Sequence, residues 1–246
     1  MKIFLTDKTL SGILSALYFS FTENVIPDDV KEKDFAFRSF TDEYITVEPF
    51  VSGENRVRSA LIKYGGVRTV NAAKICLLSC EEKAAKFAFD FLYLTLLRRK
   101  CVIEDLSEKT VTDFLYAVNK VLTERHRFTG FIRFKETESG ILYAPFTPDN
   151  DVTALLMPHF IRRLSYRPFV IHDLKRGVVG ISDGRSYKTV KTDEVAAVNL
   201  SQDEKEWENL FKSYYKSVNI KERKNLKQQD NFMPRRYRKN LPETFE

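Results

Sequence analysis

The spacing of apolar residues changes at Gly130, and this change restricts the folds that the chain can adopt. Before Gly130, apolar residues recur every three or four positions, which is typical of amphipathic helices. After Gly130, short alternating runs are separated by turn residues, as in hairpin-linked strands. This segregation predicts an α+β fold with a helical N-terminal half, then a largely antiparallel sheet, then a basic C-terminal helix and tail.

Residues 1–128 are predicted to be mainly helical, after a short strand at Lys2–Thr6. Gly65-Gly66 ends one helix, the run Ser79–Glu82 fits a capping box that starts a buried helix, and residues 22–50 are expected to be irregular. The predicted helices are Leu10–Phe21, Glu54–Tyr64, Val67–Leu78, a buried helix that ends near Lys100, and a helix over residues 111–122.

Residues 129–200 are predicted to form an antiparallel β-β-α-β-β-β unit. The pair Asp183-Gly184 is a strong hairpin signal between the last two strands. Either Asn150 or Asp151 is expected to cap the helix of this unit. The strands and helix are expected, in chain order, at residues 131–135, Ile141–Phe146, Val152–Leu164, Phe169–His172, Val178–Ser182 and Ser186–Val190.

Residues 201–246 are predicted to form a helix, opened by a capping box at Ser201–Glu204, and a basic tail. The chain as a whole carries a formal net charge of +6. The segment Lys212–Asn240 alone holds ten Lys or Arg against two acids, so it carries +8 and the remainder −2. This asymmetry predicts a polyanionic partner, most simply DNA. The tail residues expected to contact nucleic acid are Arg235, Arg236, Tyr237, Arg238 and Lys239.

Two further basic segments are candidates for phosphate contact. In the first, Arg125 and Arg127 precede a predicted strand on which Arg133 and Lys135 share the face opposite Ile132 and Phe134; charges at the ends of a buried strand are the alternative. In the second, cations at the end of a helix are favoured by the helix dipole whether or not they bind DNA. The candidates in this second segment are His159, Arg162 and Arg163.

The sequence offers few candidates for catalysis or metal binding. Asp149, His159 and His172 are the catalytic candidates, and no nucleophile stands beside the pair His172-Asp173. The three histidines lack metal-ligand spacing, so neither a metal nor another cofactor is expected. Cys76 and Cys80 are interpreted as two small buried apolar residues one helical turn apart.

The cysteine count and the length of the apolar runs bear on the cellular compartment. Three cysteines, an odd number, favour a reducing compartment. The apolar run from Ala84 to Leu97 is shorter than the roughly 20 residues that a membrane span needs. We therefore expect a cytoplasmic protein without a membrane partner, in which this run forms a buried helix.

Several motifs together resemble the bacterial family called "probable DNA metabolism protein". The motifs lie at residues 125–134, 143–149, 158–163, 183–184, 214–217 and 233–243. The domain of this family also occurs fused behind a uracil-DNA-glycosylase-like domain, and its gene often lies beside one for a radical-SAM protein linked to DNA repair or modification. The resemblance implies one family-wide domain over residues 1–246, a DNA-linked role and a radical-SAM partner; it implies no catalytic residue. Where the family pattern has an aromatic residue, this chain has Arg238, which favours phosphate contact over base stacking.

Three functions remain open at this point. The first is a nucleic-acid-binding accessory protein for DNA repair that works with the radical-SAM partner. The second is an enzyme that acts on damaged bases or strand ends, which requires the catalytic candidates to converge in one pocket. The third is a protein-interaction module whose tail folds back on an acidic surface near Asp28, Asp29 and Glu32.

Overall fold

The computed structural model describes residues 1–192, 199–218 and 225–240. The chain forms two compact units, Met1–Thr123 (unit 1) and Glu124–Glu246 (unit 2). The elements that start in unit 1 are β1 (Lys2–Thr6), α1 (Leu10–Glu23), β2 (Asp29–Glu32), β3 (Glu43–Thr46), α2 (Val51–Leu77), α3 (Ala84–Arg98) and α4 (Lys109–Phe131). The last of these helices continues into unit 2.

Unit 1 contains a small parallel sheet in the order β2-β1-β3. Phe4 on the central strand lies opposite Val30 on one side and Ile45 on the other. The prediction that residues 22–50 are irregular is therefore wrong at β2 and β3. Each of these strands has four residues and only one or two apolar side chains, so pairing with the apolar β1 specifies them rather than their own periodicity.

The buried helix predicted in unit 1 is confirmed as α3. Phe89 packs edge-on against Phe4, and Phe91 stacks on Phe114 of α4 with ring centroids 3.8 Å apart. The predicted start is wrong, because the residue that precedes the helix is Lys83 and Ser79 caps nothing in it. The Ser79 hydroxyl instead accepts a hydrogen bond from the Glu81 N–H.

Helix α2 is interrupted where the sequence predicts a helix end. Gly66 has φ 76° and ψ 169°, in a region that residues with a side chain rarely adopt. Helical residues flank it on both sides, so the prediction of two helices separated at Gly65-Gly66 holds as a kink. The reading of Cys76 and Cys80 as a buried pair is half wrong, because α2 ends at Leu77 and Cys80 is exposed.

Unit 2 has the predicted β-β-α-β-β-β order in a five-stranded sheet, β4-β5-β6-β7-β8. Strands β5 and β6 are parallel across the helix, and the other three pairs are antiparallel. The α+β class is thereby confirmed. The elements are β4 (Lys135–Glu136), β5 (Leu142–Phe146), α5 (Thr153–Arg163), β6 (Phe169–Asp173), β7 (Val178–Ser182), β8 (Tyr187–Lys191), α6 (Gln202–Val218), α7 (Leu226–Phe232) and a 3₁₀ helix (Arg235–Asn240).

The largest correction in unit 2 concerns residues 131–135, which do not form a strand. Helix α4 runs to Phe131, and the Ile132 N–H still donates to the Phe128 carbonyl. The apolar stripe of α4 extends through Phe128, which is buried, so tertiary packing prolongs the helix past Gly130. Only Lys135 of the predicted strand belongs to β4.

Local turn and cap predictions in unit 2 have mixed outcomes. The Asp183 carboxylate accepts from the Arg185 and Ser186 N–H groups, and these bonds lower its pKa, so the hairpin is confirmed. The Ser201 hydroxyl accepts from the Glu204 N–H at the start of α6, which is one half of the predicted capping box. The other half is wrong, because the Ser201 N–H donates to the Glu136 carbonyl and the Glu204 carboxylate accepts from the Glu136 N–H. The caps expected for α5 are wrong, because its first flanking residue is Val152 and no side chain caps it.

The two faces of the sheet in unit 2 differ. Helix α5 packs on one face, where a Cβ on Gly180 would lie 2.5 Å from the Met157 sulfur. Side chains alternate along a strand, so the residues next to Gly180 point to the other face. We call this other face the open sheet face, and its residues include Tyr143, Val170, His172, Val179, Ile181 and Val190. In the described part of the chain, no helix is long and apolar enough to cross a membrane.

Candidate functional site

Arginines from two basic segments that are far apart in sequence lie near the same side chain in unit 2, His159. The Arg125 guanidinium donates to the Leu155 carbonyl of α5 at 3.2 Å. Burial lowers the pKa of His159 on the same helix, and the charges of Arg163, Arg162 and Arg125 lower it further. We call these three arginines, with His159, the arginine cluster.

No carboxylate neutralises the arginine cluster within the described residues. Arg162 and Arg163 are exposed in the last turn of α5, where the helix dipole favours cations. His159 Nε2 is buried and has no hydrogen-bond partner among the residues that the structure describes. Arg127 also forms no ion pair with a described residue, but nothing ties it to the cluster. The cluster is therefore a concentrated positive charge that is accessible to an anion.

The cations predicted on the strand are placed differently. Lys135 Nζ lies 3.1 Å from a Glu208 carboxylate oxygen. The Arg133 guanidinium donates to the Gly130 carbonyl at 2.6 Å, so part of its hydrogen-bonding capacity caps the end of α4. Because residues 131–135 are not a strand, these two cations do not form the predicted sheet face opposite Ile132 and Phe134.

The cations of the tail are paired with acids. Arg235 and Arg238 both bind the Asp230 carboxylate, at 3.0 and 2.6 Å, and they lower its pKa. Arg236 binds Asp149 at 2.8 Å. The Lys239 side chain and residues 241–243 lie outside the described residues. The described tail is thus a docked segment of unit 2.

The tail is held by a buried carboxylate that the sequence analysis missed. Glu124 on α4 is only 2% exposed, and it accepts hydrogen bonds from the Asp149 and Asn150 N–H groups, the Asn150 amide and the Tyr237 hydroxyl. We call these four residues the Glu124 cluster. A glutamate in line with the apolar stripe of α4, four residues before Phe128, is the signal that could have indicated it.

Tyr237 is the anchor of the tail. Its ring packs edge-on against Phe128 at 4.9 Å and is 5% exposed. Burial raises the pKa of Tyr237 to about 12, and the neighbouring Glu124 carboxylate acts in the same direction. In this conformation the ring is unavailable for stacking on a base.

The three catalytic candidates do not converge. His172 lies on the open sheet face, whereas His159 lies on α5, which packs against the opposite face. Asp149 binds Arg236 and donates its N–H to Glu124. The enzyme hypothesis requires one pocket for all three, and the sheet separates the two histidines.

His172 is oriented by a tyrosine rather than by Asp173. Its Nδ1 lies 2.9 Å from the Tyr143 hydroxyl. Asp173 instead accepts from the Lys175 and Arg176 N–H groups and binds the Arg176 guanidinium at 3.0 Å. Burial lowers the pKa of His172, and the Asp173 charge opposes this shift.

Metal ligation finds no support in residues 1–192, 199–218 and 225–240. No group of three or more His, Cys, Asp or Glu side chains in these ranges could hold a metal ion.

A family model described as "Domain of unknown function (DUF4130)" matches residues 82–243, which is more than half of the chain. The matched range begins in unit 1, just before α3, and extends beyond the described tail, so it includes the arginine cluster, the open sheet face and the Glu124 cluster. A search of curated proteins found no significant match.

Proposed function

The chain belongs to the family described as a domain of unknown function, DUF4130, and from that premise we propose that it is a nucleic-acid-binding protein of DNA repair or DNA metabolism. The observation that carries the proposal is the arginine cluster. Arg125 and the pair Arg162 and Arg163 come from separate helices, and no described carboxylate neutralises them. Uncompensated guanidinium groups bind phosphates by charge-assisted hydrogen bonds.

The rest of the charge distribution supports this choice of site. The tail and strand cations expected to bind DNA have acidic partners or backbone acceptors, so a phosphate would have to displace these groups. The arginine cluster needs no such displacement. Burial lowers the pKa of His159 and the three arginine charges lower it further; a phosphate beside the cluster would oppose the effect of these charges.

An accessory role fits better than a stand-alone enzyme. The catalytic candidates lie apart, because His172 is on the open sheet face and His159 is on α5, which packs against the other face. In this proposal the protein holds DNA while a partner performs the chemistry, and the radical-SAM protein is the partner that the resemblance implies. Co-purification of the two proteins is the direct check of that pairing.

The function is tested by DNA affinity as a function of salt for the wild type and the Arg162→Ala/Arg163→Ala variant. Each phosphate contact contributes about 0.9 to the slope of log affinity against log salt for duplex DNA. We therefore expect the double variant to bind DNA more weakly. The magnitude of its slope should fall by up to roughly the contribution of two phosphate contacts. In the wild type, added DNA should raise the pKa of His159. NMR can follow this titration, because the chain has only three histidine signals to assign.

The matched control is Arg56→Ala/Arg68→Ala, which removes the same charge from exposed positions on α2 in unit 1. It should retain wild-type affinity and slope. Equal losses in both double variants would mean that net charge alone drives binding. Absence of binding by the wild type at low salt would refute the function itself.

A further inference from the structure

A tight turn with an unusual backbone follows the arginine cluster. Helix α5 ends at Arg163, and the Arg167 N–H donates to the Leu164 carbonyl at 3.1 Å, which closes a four-residue turn. The two central residues of this turn, Ser165 and Tyr166, have φ values of 46° and 70°. Positive φ at both central positions is typical of glycine, asparagine and aspartate, so this sequence does not favour the turn that it forms.

The end of the helix accounts for the backbone of Ser165 but not for that of Tyr166. The residue that follows a helix commonly has positive φ, and Ser165 directly follows Leu164, the C-cap residue of α5. Tyr166 lies one position further on, where a residue with a bulky side chain is a rare exception at positive φ. Residues in such conformations persist only where the surrounding structure holds them, and they concentrate at binding sites.

The hairpin between β7 and β8 holds Tyr166 in this conformation. A Cβ on Gly184 would lie 2.1 Å from the Tyr166 carbonyl oxygen, so the two backbones are in direct contact. Gly184 itself has φ 93°, and the Asp183 carboxylate fixes the hairpin by accepting from the Arg185 and Ser186 N–H groups. The backbone of Tyr166 is therefore braced by a second element of unit 2.

The braced turn presents the Tyr166 ring to solvent. Tyr166 is 74% exposed, whereas Tyr237, the tyrosine that the sequence predicts to contact nucleic acid, is 5% exposed. A tyrosine can be exposed on a surface without a strained backbone, so exposure alone does not account for Tyr166. The strain and the brace together indicate that the position of this ring is maintained for binding.

Arginines from two elements flank Tyr166. Arg162 and Arg163 precede it by four and three residues, and both are exposed. Arg185 follows Gly184, whose backbone contacts that of Tyr166; Arg185 is exposed and forms no ion pair with a residue in the described ranges. An aromatic ring beside cations that follow a phosphate backbone is typical of proteins that bind single-stranded nucleic acid.

We infer that Tyr166 stacks on an unpaired base, and that the DNA bound at the arginine cluster is therefore single-stranded at this position. The inference rests on the proposed function and specifies the substrate class of that site. Arg162 and Arg163 bind the phosphates, and the adjoining base lies on the Tyr166 ring. A base in an intact duplex is already stacked between its neighbours, so it must leave that stack before it can lie on a side chain.

The ring and the arginines together select this substrate class. Phosphate contact with a duplex needs arginines but no exposed aromatic ring held by a strained backbone. Stacking on a base uses the ring, and it tolerates any sequence because every base has a π face. Single-stranded DNA of any sequence is therefore the ligand that uses both features.

The test is fluorescence anisotropy of the full chain with a labelled oligothymidylate and with a labelled blunt-ended duplex, each over a range of salt. Tyr166→Ala should weaken binding of the oligothymidylate about fivefold or more, the lower end of the range for loss of one stacked base. Its slope of log affinity against log salt should equal that of the wild type, because no phosphate contact is removed. Tyr166→Phe retains the ring and should bind as the wild type does. Neither variant should change the duplex affinity.

Two further variants separate stacking from folding. Tyr166→Gly suits the positive φ, so it should raise the urea midpoint while it weakens oligothymidylate binding as much as Tyr166→Ala does. The matched control Tyr116→Ala removes an exposed tyrosine of α4 and should leave binding unchanged.

The inference is overturned if Tyr166→Ala binds the oligothymidylate as tightly as the wild type, or if it weakens single-stranded and duplex binding by the same factor. A loss in Tyr166→Phe as large as in Tyr166→Ala would assign the effect to the hydroxyl and overturn it as well. Binding that depends on Arg162 and Arg163 but not on Tyr166 overturns the inference alone and leaves the proposed function standing. Absence of binding to both DNA ligands overturns both.

Discussion

At the scale of single residues, Tyr237 is the side chain that holds the tail in unit 2. The Tyr237 hydroxyl donates a hydrogen bond to the Glu124 carboxylate, and both groups are buried. If a buried carboxylate loses a hydrogen-bond donor, the free-energy cost of removing the carboxylate from water is no longer compensated. The Tyr237–Glu124 hydrogen bond therefore links the position of the tail to the stability of unit 2.

Tyr237→Phe should destabilise the protein by about 1.5–3 kcal/mol at neutral pH, the range for hydrogen bonds to charged groups. The ring still fills its place on Phe128, so the loss is that of the hydroxyl. Urea unfolding measures the difference, and Tyr214→Phe, at an exposed position on α6, should change little.

The same hydroxyl predicts a pH dependence. The pKa of Tyr237 is raised from 10.0 to about 12, so its contribution to stability is complete below pH 10 and is lost as the pH rises through 12. The free-energy difference between wild type and Tyr237→Phe should therefore shrink over this window. A difference that stays constant from pH 9 to 12 would show that the hydroxyl titrates normally.

At the scale of elements, the sequence predicts most helices and strands but not their ends. The β-β-α-β-β-β order follows from turn residues such as Asp183-Gly184, whose effect is local. The end of α4 depends on Phe128 packing within unit 2, which no local pattern reveals. The strands β2 and β3 likewise depend on β1, so their polar sequences indicate nothing alone.

The site shows the same division. The sequence indicates Arg162 and Arg163 as a basic segment because they are adjacent, and helix periodicity places them beside His159. That Arg125 also acts on this histidine depends on how α4 approaches α5. The neutralisation of Lys135 by Glu208 involves residues 73 positions apart, beyond the reach of any spacing rule.

Replacing glycine by alanine should have opposite effects on stability at Gly66 and at Gly130. Gly66 has positive φ, so Gly66→Ala should destabilise by roughly 1–2 kcal/mol through backbone strain. Gly130 is within α4, and a Cβ there meets nothing within 4 Å, so Gly130→Ala should stabilise by about 0.5–1 kcal/mol. Thermal or urea unfolding of both variants gives the comparison. Equal effects would mean that the kink at Gly66 imposes no conformational demand.

At the scale of the whole molecule, α4 is shared by the two units and should make them unfold together. Cys76 is buried in unit 1, and burial raises its pKa to about 12, so its thiol reacts only after unfolding. The single tryptophan, Trp207, reports on unit 2. In a Cys80→Ser/Cys101→Ser variant, thiol labelling and tryptophan fluorescence should give the same urea midpoint. Labelling of Cys76 that lags behind the fluorescence change would show that unit 2 unfolds alone.

The Glu124 cluster also sets an order of events during synthesis. Glu124 and Tyr237 are 113 residues apart, so a nascent chain contains the buried acceptor long before its donor. Until residue 237 has left the ribosome, unit 2 must either hydrate this carboxylate or bury it without that donor. A chain that is released before residue 237 would therefore remain loosely folded and exposed to proteases, so the tail distinguishes chains that contain Tyr237 from shorter fragments.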